Sequence, residues 1–98
     1  MNYRFIAPAR EELLSSVKYY ERIEVNLGLD FLNEVEQTID LILLYPEHCP
    51  QFNGDIRKAV LRRFPFNILY TISDSSIIII ALMHQKRKPG YWKDRKSE

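Results

Sequence analysis

Residues 56–84 read IRKAVLRRFPFNILYTISDSSIIIIALMH, and this stretch decides the fold. It closes with Ile77–Met83, seven apolar residues without a break. A run that short and that rich in β-branched residues predicts a strand buried on both faces. Ser73-Asp74-Ser75 supplies the hairpin turn before it, and Phe66–Ile72 the preceding strand. A strand before that carries Arg57, Lys58, Arg62 and Arg63. Pro65 lies between these two strand readings and predicts a bend or bulge. The stretch is therefore three consecutive antiparallel strands. Everything else must cover this sheet or decorate its rim.

Upstream, Pro46–Asp55 (PEHCPQFNGD) holds two prolines and Asn53-Gly54 and reads as a loop. Before it, Phe31, Val35, Ile39 and Ile42 form one helical stripe, widened by Leu32 and Leu43. Pro46 ends that helix. An earlier helix opens at Pro8, with Leu13, Val17 and Tyr20 at helical spacing and Glu11 and Glu12 in the first turn. Asn26-Leu27-Gly28 predicts its stop, with Gly28 as the left-handed cap. The short link makes the two helices antiparallel neighbours. Asn2–Ile6 alternates polar and apolar residues, a short first strand that pairs beside the buried one. The expected fold is α+β, in the order β-α-α-β-β-β. It has an N-terminal strand, a helical hairpin, and a three-stranded antiparallel meander completing one four-stranded sheet.

The 98 residues make one domain, 1–98, with 85–98 as a basic C-terminal tail. A chain this short buries only a little over ~60% of its unfolded surface, so a bound partner weighs heavily in its stability. Cys49 is the single cysteine, which excludes an internal disulfide and fits a reducing cytosol. Met1–Ala9 shows no signal-peptide pattern, and no apolar run approaches the ~20 residues of a membrane span. The net charge of +1 hides a division. Residues 1–55 carry 4 Lys+Arg against 10 Asp+Glu, or −6; residues 56–98 carry 10 against 3, or +7. A segregated basic half suggests an anionic partner, either nucleic acid or an acidic peptide.

A family resemblance runs along nearly the whole chain. It begins with Ala9, Glu12-Leu13, Tyr19-Tyr20-Glu21, Leu27-Gly28, Phe31 and Val35-Glu36. It continues through Tyr45-Pro46, Ile56-Arg57 and Arg63-Phe64-Pro65-Phe66 with Ile68 and Tyr70. It ends with His84, Arg87, Pro89, Tyr91-Trp92 and Arg95. No single piece is specific, but the ordered set at this spacing resembles the RelE/ParE superfamily of small bacterial toxins, and its ParE branch more than the other. The resemblance implies the fold just derived, a cognate antitoxin and a bacterial cytosol. Members like ParE are associated with poisoning DNA gyrase, and members like RelE with cutting messenger RNA on the ribosome. Operator DNA is usually left to the antitoxin in this family.

RNA cleavage through the 2′-hydroxyl needs a base, an acid and cations for the phosphorane charge. The family's nucleases draw these from the sheet and the C-terminal segment, where this chain offers Arg57, Arg63, His84, Arg87, Tyr91 and Arg95. His84 is the group there that titrates near neutrality, and it equally suits hydrogen bonding to backbone to fix the tail. Arg57 and Arg63, six apart, share a face if the strand is regular. No glutamate stands near His84 in sequence, which favours the ParE reading. Tyr91 and Trp92 either stack on a base or lid a core or meet a partner. His48 and Cys49 lack the spaced companions of a metal site. The expected function is a ParE-like toxin that binds gyrase through Arg57, Arg63, Arg87, Tyr91, Trp92 and Arg95, with no cofactor. The alternatives are a ribosome-dependent nuclease and a non-toxic module that binds an antitoxin.

Overall fold

The computed structural model describes residues 1–95; residues 96–98, the end of the expected tail, lie outside the described residues. Seven elements follow one another: β1 (Asn2–Phe5), α1 (Ala7–Ile23), α2 (Leu27–Leu44), β2 (Gln51–Asn53), β3 (Ile56–Val60), β4 (Phe66–Ser73) and β5 (Ser76–His84). The strands form one sheet in the order β1-β5-β4-β3-β2. β1 runs parallel to β5, and the other pairings are antiparallel. The sheet is therefore five-stranded and mixed, where four strands were expected. The extra strand, β2, lies in the segment read as a loop. It is three residues long and exposed throughout, so it carries no alternation of burial to read. It exists because Asn53 pairs with Ile56 across Gly54 and Asp55, and Gly54 takes the positive φ that this two-residue hairpin requires.

β5 sits between β4 and β1, and every residue from Ile77 to Met83 is buried, as its composition predicted. The turn before it spans Asp74 and Ser75, with Asp74 at φ 55°, a conformation that a short polar side chain tolerates. Leu69 pairs with Ala81 and Tyr70 with Ile79, so Ile80 is an extra residue on β5 and makes a bulge. β3 stops at Val60 and β4 starts at Phe66, with the bend at Pro65 between them.

The α2 stripe is buried as expected, at Phe31, Val35, Ile39 and Ile42. Phe31 meets Phe64 and Phe66 with ring centroids 5.1 and 5.0 Å away, and Tyr20 of α1 joins them at 4.9 Å from Phe64. This aromatic cluster ties both helices to the sheet and to the β3–β4 bend.

Two local expectations need correction. Glu11 and Glu12 do not lie in the first turn of α1, because the helix begins at Ala7, ahead of Pro8. The left-handed residue between the helices is Asn26, at φ 72°, and Gly28 already lies inside α2. Gly28 is needed for close approach instead. A Cβ there would stand 2.5 Å from the Val17 carbonyl oxygen of α1. Glu21 of α1 uses the same proximity to accept from the amides of Asn26, at 2.9 Å, and Gly28, at 3.0 Å. The first turn of α2 is thus capped from the neighbouring helix, whereas Asn26 makes no side-chain cap.

Gly28→Ala must push the two helices apart against backbone. It is expected to lower stability by about 1–3 kcal/mol, the usual cost of overpacking, read from the midpoint of urea unfolding.

Candidate functional site

The site residues are positioned by a gap in the sheet. β4 covers one edge of β5 over its whole length, but β1 pairs only as far as Ile79. Beyond that point the Ile80 carbonyl and the Leu82 amide have no strand to meet. Side chains replace it. Leu82 N donates to Glu12 Oε1 at 3.0 Å, and Arg95 Nη1 donates to the Ile80 carbonyl at 2.9 Å. Arg95 also grips Glu12 through both nitrogens, at 2.9 and 2.8 Å, and the Tyr91 hydroxyl donates to Glu12 Oε2 at 2.7 Å. The pair is largely screened from water, with side-chain exposures of 16% and 18%. The bond to Glu12 raises the Arg95 pKa, so this guanidinium stays charged. Burial raises the Tyr91 pKa well above the usual phenol value, and the bond to Glu12 adds to it.

The tail that carries Tyr91 and Arg95 also covers the second face of the sheet. Arg57 and Tyr70 are paired across β3 and β4, and both reach the chain leaving α2. Arg57 Nη1 donates to the carbonyls of Glu47 and Cys49, at 3.1 and 2.6 Å, and the Tyr70 hydroxyl donates to that of Pro46 at 2.7 Å. The next pair, Lys58 and Leu69, therefore points to the opposite face. There Lys58 Nζ lies 4.9 Å over the Phe52 ring, and Phe52 packs 5.6 Å from Trp92. Trp92, only 3% exposed, covers the face that the helices leave open.

The remaining site residues separate into two groups. His84 is half-buried beside Phe66, and its Nδ1 accepts from the Lys86 amide at 3.0 Å, which holds the turn after β5. Arg87 is exposed and stacks 3.9 Å over the Tyr91 ring. His84, Arg87, Tyr91 and Arg95 thus line one shallow hollow of about 490 Å³ beside α1. Arg57 and Arg63 are elsewhere, and they do not share a strand face as their spacing suggested, because β3 ends at Val60. Arg63 lies in the β3–β4 bend, where its amide and that of Arg62 both donate to Glu34 of α2, and its guanidinium stands 3.8 Å from Asp30.

Near Arg63 a groove of about 1040 Å³ opens between α2 and β3. Leu41, Tyr45 and Val60 border it with more than half of each residue exposed, at 57%, 63% and 58%. Asp30 and Glu34 lie on one wall, Arg62 and Arg63 on the other; Lys58 lines it too, but its ammonium turns away over Phe52. Sequence reasoning missed the roles of Glu12, Glu34 and this groove. Glu12 had a signal: it falls beside Ala9, Leu13 and Val17 on the apolar stripe of α1, where a carboxylate must find a partner.

The family described as the ParE toxin of the type II toxin–antitoxin system parDE matches residues 3–89. Among curated proteins none matches the sequence significantly. A solved structure of the chromosomal ParDE system from P. aeruginosa superposes with a TM-score of 0.73 at 15% identity, covering 86% of this chain and 95% of that one. The isolated E. coli RelE toxin superposes with a TM-score of 0.57 at 14% identity, covering 94% of this chain and 92% of that one. At such identities these two likenesses speak to the fold alone.

Arg95→Ala strands the Glu12 carboxylate and reopens the edge of β5. It is expected to cost about 2–3 kcal/mol, somewhat below the value for a fully buried pair, and Arg95→Lys is expected to recover only part of it. Hydrogen exchange at the Ile80–Leu82 amides should quicken more than at β4.

Proposed function

This chain belongs to the ParE family of toxins from type II toxin–antitoxin systems, and we propose that it arrests growth by holding DNA gyrase until a cognate antitoxin neutralises it. The family implies the antitoxin; the gyrase target is our reading. The observation that carries binding over RNA cleavage is how the polar groups are committed. Cleavage gathers a base, an acid and cations around one phosphate. Here Arg57 is tied to two loop carbonyls, Arg63 stands beside Asp30, and Tyr91 and Arg95 share Glu12. Tyr91, with its pKa raised by burial, keeps its proton and cannot serve as a base near neutrality.

The antitoxin segment fits the groove between α2 and β3. Its floor and rim are apolar and its walls carry opposite charge, features suited to an amphipathic helix. The same reading puts the protein in the bacterial cytosol; among the described residues no helix is long and apolar enough to cross a membrane. Operator DNA is reached only through the antitoxin.

Purified protein is expected to inhibit gyrase supercoiling and to leave messenger RNA on programmed ribosomes intact. Ribosome-dependent cleavage that disappears in Arg63→Ala would replace the gyrase reading with nuclease action. Val60→Asp combined with Leu41→Asp is expected to weaken antitoxin binding about 30-fold or more while growth arrest persists. Unchanged affinity in titration calorimetry would remove the groove as the antitoxin site.

A further inference from the structure

An exposed arginine on a turn ordinarily samples many rotamers. Arg87 is held instead. Its guanidinium stacks 3.9 Å from the centroid of the Tyr91 ring, and Arg95 packs against the same ring at 4.9 Å. Tyr91 is fixed by its hydroxyl bond to Glu12, and Glu12 by Arg95 and the Leu82 amide. A chain of contacts thus runs from the backbone of the buried strand out to a guanidinium in solvent. The backbone under Arg87 is fixed as well, since its amide donates to the His84 carbonyl at 2.9 Å. Stacking occupies the plane of the guanidinium and leaves its N–H edge, the fork that meets an oxyanion in two parallel bonds. Among the described residues no carboxylate forms an ion pair with Arg87.

We propose that Glu12 is the positioning residue of a carboxylate-binding site at Arg87, and that the site takes an acidic segment of a protein partner. The proposal rests on one part of the functional reading, that the chain acts by binding. Two observations favour protein carboxylates over nucleic-acid phosphates. Single strands are gripped by aromatic faces open to the bases. Here the Tyr91 ring lies against two guanidinium groups, and Trp92 is buried.

Fluorescence anisotropy tests this with a labelled peptide of five Glu-Gly repeats and, in a second arm, a labelled ten-nucleotide single-stranded RNA. Wild-type protein binds the peptide, and Arg87→Ala weakens it about tenfold, the worth of one charge-assisted pair. Arg87→Lys keeps the charge but loses the fork and the stack, and weakens binding too. Glu12→Gln also weakens it, and adding E12Q to R87A brings no further loss, because Glu12 acts through Arg87. Losses that multiply would mean a merely structural Glu12 and overturn its positioning role. Should Glu12→Gln fail to fold, Tyr91→Phe cuts the same link and keeps the ring, and the same cycle decides. No peptide binding by the wild type, or RNA binding that R87A abolishes, overturns the occupant. A protein that binds peptide through Arg87 yet leaves gyrase supercoiling untouched sinks the target and keeps this site.

Discussion

The unfinished edge of β5 is the constraint on which the rest of the structure depends. A strand buried on both faces must also pair on both edges, because backbone groups cut off from water need partners. β1 is too short for the task. α1 starts at Ala7, one residue past its end, so the chain turns into a helix while five residues of β5, 80–84, still lack a strand on that edge. The helix answers its own interruption, since Glu12 in its second turn accepts from Leu82. A carboxylate in that position needs a cation, and the nearest one in the fold is Arg95, far along the sequence in the tail. The tail therefore cannot behave as a loose basic extension. Its Trp92 then covers the second face of the sheet as a consequence of where Arg95 must be.

The division of charge along the sequence takes on a different meaning in this light. The acidic helical half and the basic sheet half suggested an anionic partner. Part of that division is internal. Glu12 bonds Arg95, and Glu34 bonds the amides of Arg62 and Arg63, so two helical carboxylates fasten the second half of the chain to the first. A buried ion pair adds little net stability compared with apolar packing, but a broken one is costly, which gives it authority over geometry. Glu12 fixes the register of the tail on the sheet; Glu34 fixes the bend before β4. Of the cations singled out in the sequence, Arg57 and Arg95 serve the fold, Arg63 stands beside Asp30, and Arg87 keeps an exposed guanidinium.

Features written in composition and period were legible in the sequence. Ile77–Met83 is apolar because it is central, and the Phe31–Ile42 stripe is spaced by the helix it forms; both appear in the structure as read. Features set by long-range contact were not. β2 is a strand only because a hairpin brings Gln51 opposite Arg57, and its own residues bury nothing. Gly28 resembled a helix stop because stops and close approaches favour the same residue for different reasons. Arg57 and Arg63 lost their common face once the strand ended three residues before Arg63. The pairing of Glu12 with Tyr91 and Arg95 joins residues some eighty positions apart, a distance over which no spacing rule operates.

The two surfaces proposed for partners lie toward opposite edges of the sheet. The groove belongs to α2 and β3, and Arg87 stands beyond the end of β5, on the side of α1. A helix seated only in the groove leaves Arg87 in solvent. Val60 at the groove's rim pairs with Asn67, and Asn67 with Met83, so the rim stands two strand spacings, roughly 10 Å, from the end of β5 that leads to Arg87. Crossing that span takes roughly seven residues of helix at 1.5 Å each, or roughly three of extended chain. A partner that covers both surfaces must therefore continue past the groove by a segment of that length and carry carboxylates at its far end. A shorter one would leave the Arg87 surface free to engage something else while the groove is filled. Whether occupation of one surface silences the other is thus a question of segment length and charge placement, both fixed by the distance between α2 and the tail.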